Sequence, residues 1–201
     1  MERLPIFDKF AALFAKEGVE LYLIGGSSRD LLLGKEVRDL DFVSSATPEK
    51  TLSILGKGDS TFARFGTISL KEEGFSIDFM TFREEGEYND KRHPSYIKFV
   101  KDMYIDSLRR DFTINAIYID SSYKAHDFHH GLEDLNQGII RFIGNPKKRI
   151  EEDPLRILRA ERFAKRLGFQ IEKESLEAIN LFRPLLEQIN PEKIRMEKEK
   201  E

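Results

Sequence analysis

The sequence predicts an α+β protein, with strands concentrated in its first two thirds and helices in its last part. Three observations carry this. Short apolar runs bounded by turn residues recur at residues 21–24, 67–70, 75–81 and 117–119. Segments with helical spacing lie among them, as at residues 6–17. From Pro146 onward the periodicity is helical alone. The expected boundary falls at 140–150, which divides the chain into 1–145 and an all-helical 146–201.

Taken in order, Phe10, Leu13 and Phe14 share a stripe with Ile6 or Phe7, which predicts a first helix ending near Gly18. Leu21, Tyr22, Leu23 and Ile24 suit a buried strand. Arg29 and Asp30 open a short helix through Leu31, Leu32 and Leu33, and Gly34 can end it. Asp39, Leu40, Asp41, Phe42 and Val43 form the next strand. Thr47 and Pro48 read as cap and first residue of a helix that ends near Gly56. Residues 67–70 and 75–81 are two strands around a turn at 71–74. The polar stretch 84–95, with Gly86, Asn89 and Pro94, reads as a long mobile loop. His93 lies there and is given no role.

Asp106 or Ser107 can start a helix, and 117–119 is a strand. Residues 131–144 read as a turn and a short strand near 139–143. A long helix starts at Asp153 and ends at Gly168, another covers 175–182, and a last one starts at Pro191. The last helix shows little apolar face, so nothing is expected to pack against it.

Composition narrows the classes. The chain has 201 residues, 40% hydrophobic and 34% charged, enough for a sizeable core under a heavily charged surface. It has no cysteine, hence no disulfide and no thiolate site. No apolar run approaches the ~20 residues of a membrane span. Met1 leads into an amphipathic segment, so the expected location is cytoplasmic. A net charge of −3 argues against a generally basic nucleic-acid binder and leaves room for a local basic face.

The chemistry concentrates around residues 21–42. Gly25 and Gly26 allow a sharp turn and a close backbone approach. Bare N–H groups at or near a helix N-terminus suit phosphate. Asp39 and Asp41 stand at i and i+2 on a strand and so share one face. Their mutual repulsion in an apolar setting is most simply relieved by a divalent cation such as Mg²⁺. Alone, a Gly-Gly turn is usually only a turn, and Asp-x-Asp is more often surface than metal site. Together they suggest handling of a nucleoside triphosphate. No Gly-Lys-Ser/Thr follows, so this is not a P-loop, and it is not a dinucleotide fingerprint.

Further along, Asp78 sits between Ile77 and Phe79, where a carboxylate needs a reason. It is either a solvated edge residue or a third acid on the same site. Arg109, Arg110 and Asp111 read as a charged turn, or, with Asn115, as groups that meet a triphosphate, a ribose and a base edge. Asp153 and Arg156 fall on the core-facing stripe of Ile157, Ala160, Phe163, Ala164 and Leu167. They are either a cap with its partner or a pair lining a cleft. Arg159, Arg162 and Arg166 make a second, basic stripe, suited to phosphates or to pairing with Glu161 and nearby acids. His126, Asp127, His129 and His130 look like a metal cluster at first sight. Gly131 and the preceding strand oppose the helix that cluster would need, and no metal role is assigned.

Four motifs then carry a resemblance: Gly25-Gly26-x-x-Arg29-Asp30; Asp39-x-Asp41; Arg109-Arg110-Asp111-Phe112-Thr113-x-Asn115-Ala116; and Glu152-Asp153-x-x-Arg156-x-x-Arg159. In this order, over nearly the whole chain, they resemble class II tRNA nucleotidyltransferases. These are the CCA-adding enzymes of the DNA polymerase β-like superfamily, whose pattern bacterial poly(A) polymerases share. The resemblance implies a nucleotidyltransferase head with a small mixed sheet and flanking helices over 1–145, and a helical neck over 146–201. It implies that Asp39 and Asp41 hold two Mg²⁺ ions, with Asp78 a third acid. Gly25, Gly26 and Arg29 would contact the triphosphate. Arg110, Asp111 and Asn115 would position the nucleotide and its ribose. Asp153 and Arg156 would read the base edge of CTP or ATP, with Arg159 and Arg162 beside them as nucleotide-binding groups. The implied reaction is two-metal, in-line phosphoryl transfer of CMP and AMP to the 3′ end of RNA, foremost tRNA. The alternatives are poly(A) addition, partial CC or A addition, and a nucleotide-binding fragment with little turnover. Two departures stand out. Ser28 occupies a position that is usually aliphatic. The chain also ends just after residues 191–195, which resemble the start of the last neck motif, so a body and tail are expected to be absent. The stretch 84–95 leans away from relatives that add only CC.

Overall fold

The computed structural model describes residues 2–87 and 94–200. His93 and the centre of the expected loop lie outside the described residues. The chain divides into two compact units. One comprises residues 1–84, 97–107 and 115–128, and the other 85–96, 108–114 and 129–201.

The first unit begins with α1 (Pro5–Ala15), which has Pro5 in its first turn and a buried stripe of Ile6, Phe7, Phe10, Ala11 and Phe14. β1 (Leu21–Leu23) leads into α2 (Gly25–Leu32). The two glycines therefore form the first turn of the helix rather than a separate turn before it. β2 (Asp39–Ser44) follows, then α3 (Pro48–Leu55), where the Thr47 Oγ1 accepts from the Lys50 amide at 3.3 Å. β3 (Thr67–Glu72) and β4 (Phe75–Thr81) form a tight hairpin.

Short strands β5 (Arg83–Glu85) and β6 (Ile97–Phe99) pair in a ladder of their own. Strand pairing therefore reaches into the start of the stretch read as loop. α4 (Met103–Leu108) starts three residues earlier than Asp106, because Asp102 Oδ1 accepts from the Tyr104 amide at 2.8 Å and acts as its cap. Asp106 is buried inside that helix and accepts from the Tyr118 hydroxyl at 2.7 Å. β7 (Ile117–Ile119) and β8 (Ala125–Asp127) complete the unit.

Six of these strands form one mixed sheet in the order β3-β4-β2-β1-β7-β8. β2 runs parallel to β4, and the other neighbours are antiparallel. Strand alternation splits its faces. Leu40, Phe42, Ile68, Ile77 and Phe79 point into a core closed by α1. Phe14 stacks on Phe79 at 5.6 Å and Phe10 meets the same ring edge-on at 5.0 Å. Each such buried ring contributes about 1.5–3 kcal/mol. On the opposite face Tyr22, Ile24, Val43, Phe82 and Tyr118 form a smaller cluster. Asp39 and Asp41 share that second face with Val43, because the pleat alternates.

The second unit holds a helix that residue spacing did not reveal, α5 (Gly131–Gln137). Its Asp134 is buried because Arg141 and the Thr113 hydroxyl, at 3.0 and 2.7 Å, satisfy the carboxylate. β9 (Ile139–Ile140) follows, then α6 (Pro146–Glu152), capped by Asn145. α7 (Leu155–Leu167) is the long helix. β10 (Gln170–Ile171) pairs with β9 in parallel, so the segment expected to be all-helical carries one short strand. α8 (Lys173–Phe182) and α9 (Pro191–Lys198) close the unit. Contrary to expectation, α9 packs along α7. Its Glu197 is only 6% exposed and accepts from Arg162 Nη2 at 3.0 Å, which attaches the helix by charge where its apolar face is thin. Among the described residues, no helix is long and apolar enough to cross a membrane.

Candidate active site

Two groups of the expected residues assemble, one in each unit. In the first unit the carboxylates line up across two strands. Asp39 and Asp41 point to one side of β2, and Asp41 lies directly opposite Asp78 in the parallel register. Asp39 is exposed, whereas Asp41 and Asp78 are half-buried. The register thus brings Asp78 beside Asp41, on the face away from α1.

The glycine turn meets the same carboxylates. Gly25 has φ +73°, and a methyl group placed on it would lie 2.8 Å from Asp41 Oδ2. Only a residue without a side chain lets the first turn of α2 approach this carboxylate so closely. Ser27, which residue pattern did not single out, ties the two elements together. Its Oγ donates to the Ile24 carbonyl at 2.8 Å and accepts from the Asp41 amide at 2.9 Å. Ser28, the unusual polar residue, is fully buried, and its hydroxyl donates to the Gly25 carbonyl at 3.2 Å.

Arg29 and Asn115 are brought together, but not in the open. The Arg29 guanidinium is 1% exposed, donating through Nη1 to Asn115 Oδ1 at 2.8 Å and through Nε to Asp30 Oδ1 at 2.8 Å. This buried cation braces the frame under the turn.

Divalent-cation chemistry suits the donor set. Among the described residues no group of three or more His, Asp or Glu is gathered tightly enough to hold an ion alone. Mg²⁺ does not need one. It takes one or two carboxylates, with water and substrate phosphate completing its octahedron. Asp39 and Asp41 on one strand face, beside a close backbone turn, fit that requirement. His126 is instead engaged by Asp120, Nε2 to Oδ2 at 2.7 Å.

In the second unit Asp111 is an ionic hub. Its Oδ1 accepts from Arg156 Nε at 2.6 Å, and its Oδ2 pairs with Arg159 Nη1 at 3.0 Å. Burial alone would push its carboxyl up, but Arg159, Arg156 and Arg149 hold it down at about 2. Arg156 is 2% exposed and also donates through Nη1 to the Arg149 carbonyl at 2.6 Å and to Glu152 Oε2 at 2.8 Å. Asp153 does not pair with Arg156 through its side chain. Its Oδ1 accepts from the Leu155 amide at 3.1 Å, and its Oδ2 pairs with Arg159.

The long helix starts at Leu155 with Pro154 in the cap position, so Asp153 closes α6 in an extended conformation instead of capping α7 as expected, and its charged partner is Arg159. Arg162 turns to Glu197 rather than to this cluster. Arg110 joins through its backbone, whose carbonyl accepts from Arg149 Nη2 at 2.9 Å. Arg149 is a member that the sequence reading missed, because α6 is too short to show a period, and Glu152 stands in the fourth motif without having been given a role.

A profile of the Poly A polymerase head domain matches residues 21–141. The CCA-adding enzyme of Ligilactobacillus salivarius is 42% identical over 194 residues, which is 96% of this chain and 47% of that protein. That of Streptococcus mutans is 42% identical over 199 residues, 99% of this chain and 49% of that protein. The crystal structure of the Bacillus stearothermophilus CCA-adding enzyme in complex with CTP superposes with a TM-score of 0.88 at 34% identity, covering 98% of this chain and 49% of that one. The Thermotoga maritima CCA-adding enzyme complexed with tRNA CCA superposes at 0.75 and 27% identity, over 96% of this chain and 45% of that one. The chain thus spans about half the length of the relatives it matches. Since the matched region is more than half of its 201 residues, and carries both the Gly25-Gly26 turn and the Asp39–Asp41 pair, the chain belongs to the Poly A polymerase head domain family.

Proposed function

We propose that this chain adds CMP and AMP, from CTP and ATP, to the 3′ end of tRNA without a nucleic-acid template. The observation that carries the reading is the approach of Gly25 to Asp41, which sets helix N–H groups for phosphate beside carboxylates for Mg²⁺. The likeness to a CTP-bound CCA-adding enzyme supports the choice of substrates. A cytoplasmic location belongs to the same proposal, since CTP, ATP and tRNA are there.

In this reading residues 1–145 do the chemistry and 146–201 choose the base. Asp39 and Asp41, with Asp78, hold Mg²⁺, which when bound supplies charge stabilisation for the attacking hydroxyl and the leaving pyrophosphate. Gly25 and Gly26 offer amides to the triphosphate. Arg29 acts beneath them by fixing Asn115. Asp153 accepts from the exocyclic amine of C or A, and Arg156 donates to a ring nitrogen or carbonyl. Asp111, Arg149 and Glu152 hold the Arg156 guanidinium in one plane, so that its orientation is set before the base arrives. Arg159 does the same for Asp153. Arg110 contributes positive charge near the nucleotide, whereas Arg162, expected beside it, is paired with Glu197 and anchors α9. Poly(A) addition is the second reading, favoured by the family whose head domain the chain matches.

The deciding experiment extends a tRNA lacking its CCA end with CTP, ATP and Mg²⁺, then sequences the 3′ ends. CCA ends are expected, whereas A-only tails would establish the second reading. Asp39→Ala should reduce incorporation at least ~1,000-fold with an unchanged melting temperature, as expected for a lost phosphoryl-transfer metal ligand. Turnover near wild type would refute the metal assignment. Asp153→Ala should narrow the preference for CTP over UTP about tenfold, the scale of one lost base contact. An unchanged CMP-to-UMP ratio would remove Asp153 from base choice.

A further inference from the structure

The carboxylate face continues past Asp78 onto the edge strand. In the β3–β4 register Ser69 lies directly opposite Asp78, while Asp41 lies opposite it on the other side. Asp41, Asp78 and Ser69 therefore form one row across three strands. The Ser69 hydroxyl donates to Asp78 Oδ1 at 2.6 Å. The Ser69 backbone is held independently, donating to the Asp59 carbonyl at 3.0 Å and accepting from the Asp59 amide at 2.8 Å. The hydroxyl thus sits on a backbone fixed along both of its edges, with one side-chain torsion left. Both side chains border a concavity of about 520 Å³ that also includes Gly58, Lys71 and Ser76.

Asp78 has a reason to need such a partner. Two carboxylates opposite each other on neighbouring strands repel, and repulsion would swing Asp78 away from Asp41. A hydroxyl donor on the far side opposes that swing. It also occupies one oxygen, so that one carboxylate oxygen remains for a cation. Partners that orient metal-binding carboxylates in this way typically matter 10–100-fold in affinity or activity.

We propose that Ser69 is a positioning residue for the metal site, holding Asp78 through one oxygen so that the other serves the divalent cation. The inference rests on the metal reading above. Mn²⁺ titration of the 201-residue chain by electron paramagnetic resonance, with CTP present, tests it. Ser69→Ala should weaken Mn²⁺ binding about tenfold and lower kcat for CMP incorporation 10–100-fold, with KM for CTP within about twofold. Ser69→Thr keeps the hydroxyl on a strand-compatible side chain and should restore both. Asp39→Ala provides the reference. If it abolishes Mn²⁺ binding while Ser69→Ala leaves affinity unchanged, the role of Ser69 is overturned and the metal reading stands. If the wild-type chain shows no Asp39-dependent binding, both fall.

Discussion

Gly25→Ala is expected to lower nucleotide incorporation at least ~100-fold, the cost associated with a displacement of about 1 Å at a reacting centre. Two effects combine. The residue has φ +73°, where an L side chain costs roughly 1–3 kcal/mol. Its new methyl group would also press on Asp41 Oδ2, 2.8 Å away, and turn that carboxylate out of the orientation it holds beside the glycine turn. Gly34→Ala separates the two effects. Gly34 has φ +66°, and nothing lies within 4 Å of an added methyl group. That variant should lose about 1 kcal/mol of stability and keep its activity. Parallel urea melts and incorporation rates decide the matter. Equal activity losses in the two variants would mean that backbone strain, not the approach to Asp41, explains the glycine.

Asp111→Asn should produce the largest stability change in the second unit. The carboxyl is held at about 2 in the fold, against 3.8 for the free group. Its folded value is depressed, so its contribution is complete above about pH 5 and is lost as pH falls from there toward 2. At 1.36 kcal/mol per pH unit, the contribution is about 2 kcal/mol near neutrality. Removing the charge also leaves Arg156 and Arg159 without their shared anion in a largely buried place, for a total loss of about 3 kcal/mol at pH 7. Urea melts from pH 2.5 to 7 should show a loss that shrinks on acidification, with a flatter acid limb in the variant. A loss constant across that range would show that Asp111 acts by packing or neutral hydrogen bonding rather than through its charge.

The parts legible in the residues are those with local causes. Thr47-Pro48 marks a helix start because a hydroxyl cap and a pre-set φ act within one turn. The β3–β4 hairpin and the shared face of Asp39 and Asp41 follow from strand alternation. The order of the four motifs along the chain points to the family without reference to the fold. Less legible were the short helices. α5 and α6 have seven residues each, too few for a period to stand out, and α5 starts directly at Gly131, a residue that reads as a stop.

Which acid meets which base was not legible at all. Asp153 and Arg156 read as neighbours on one helical stripe, yet Asp153 sits in the extended break before α7, and the two side chains choose Arg159 and Asp111. Arg159, Arg162 and Arg166 read alike in the sequence, but Arg159 joins the Asp111 hub and Arg162 anchors α9. Asp78 beside Asp41 needed the parallel β2–β4 pairing, between strands more than thirty residues apart. Local chain stereochemistry acts over a few residues and writes itself into spacing. Charge pairing and strand register depend on which groups the fold brings within hydrogen-bond reach. The glycine turn and the Asp39–Asp41 pair therefore belonged to the chain from the start, whereas the partners that hold the acids and arginines in place came only with the fold.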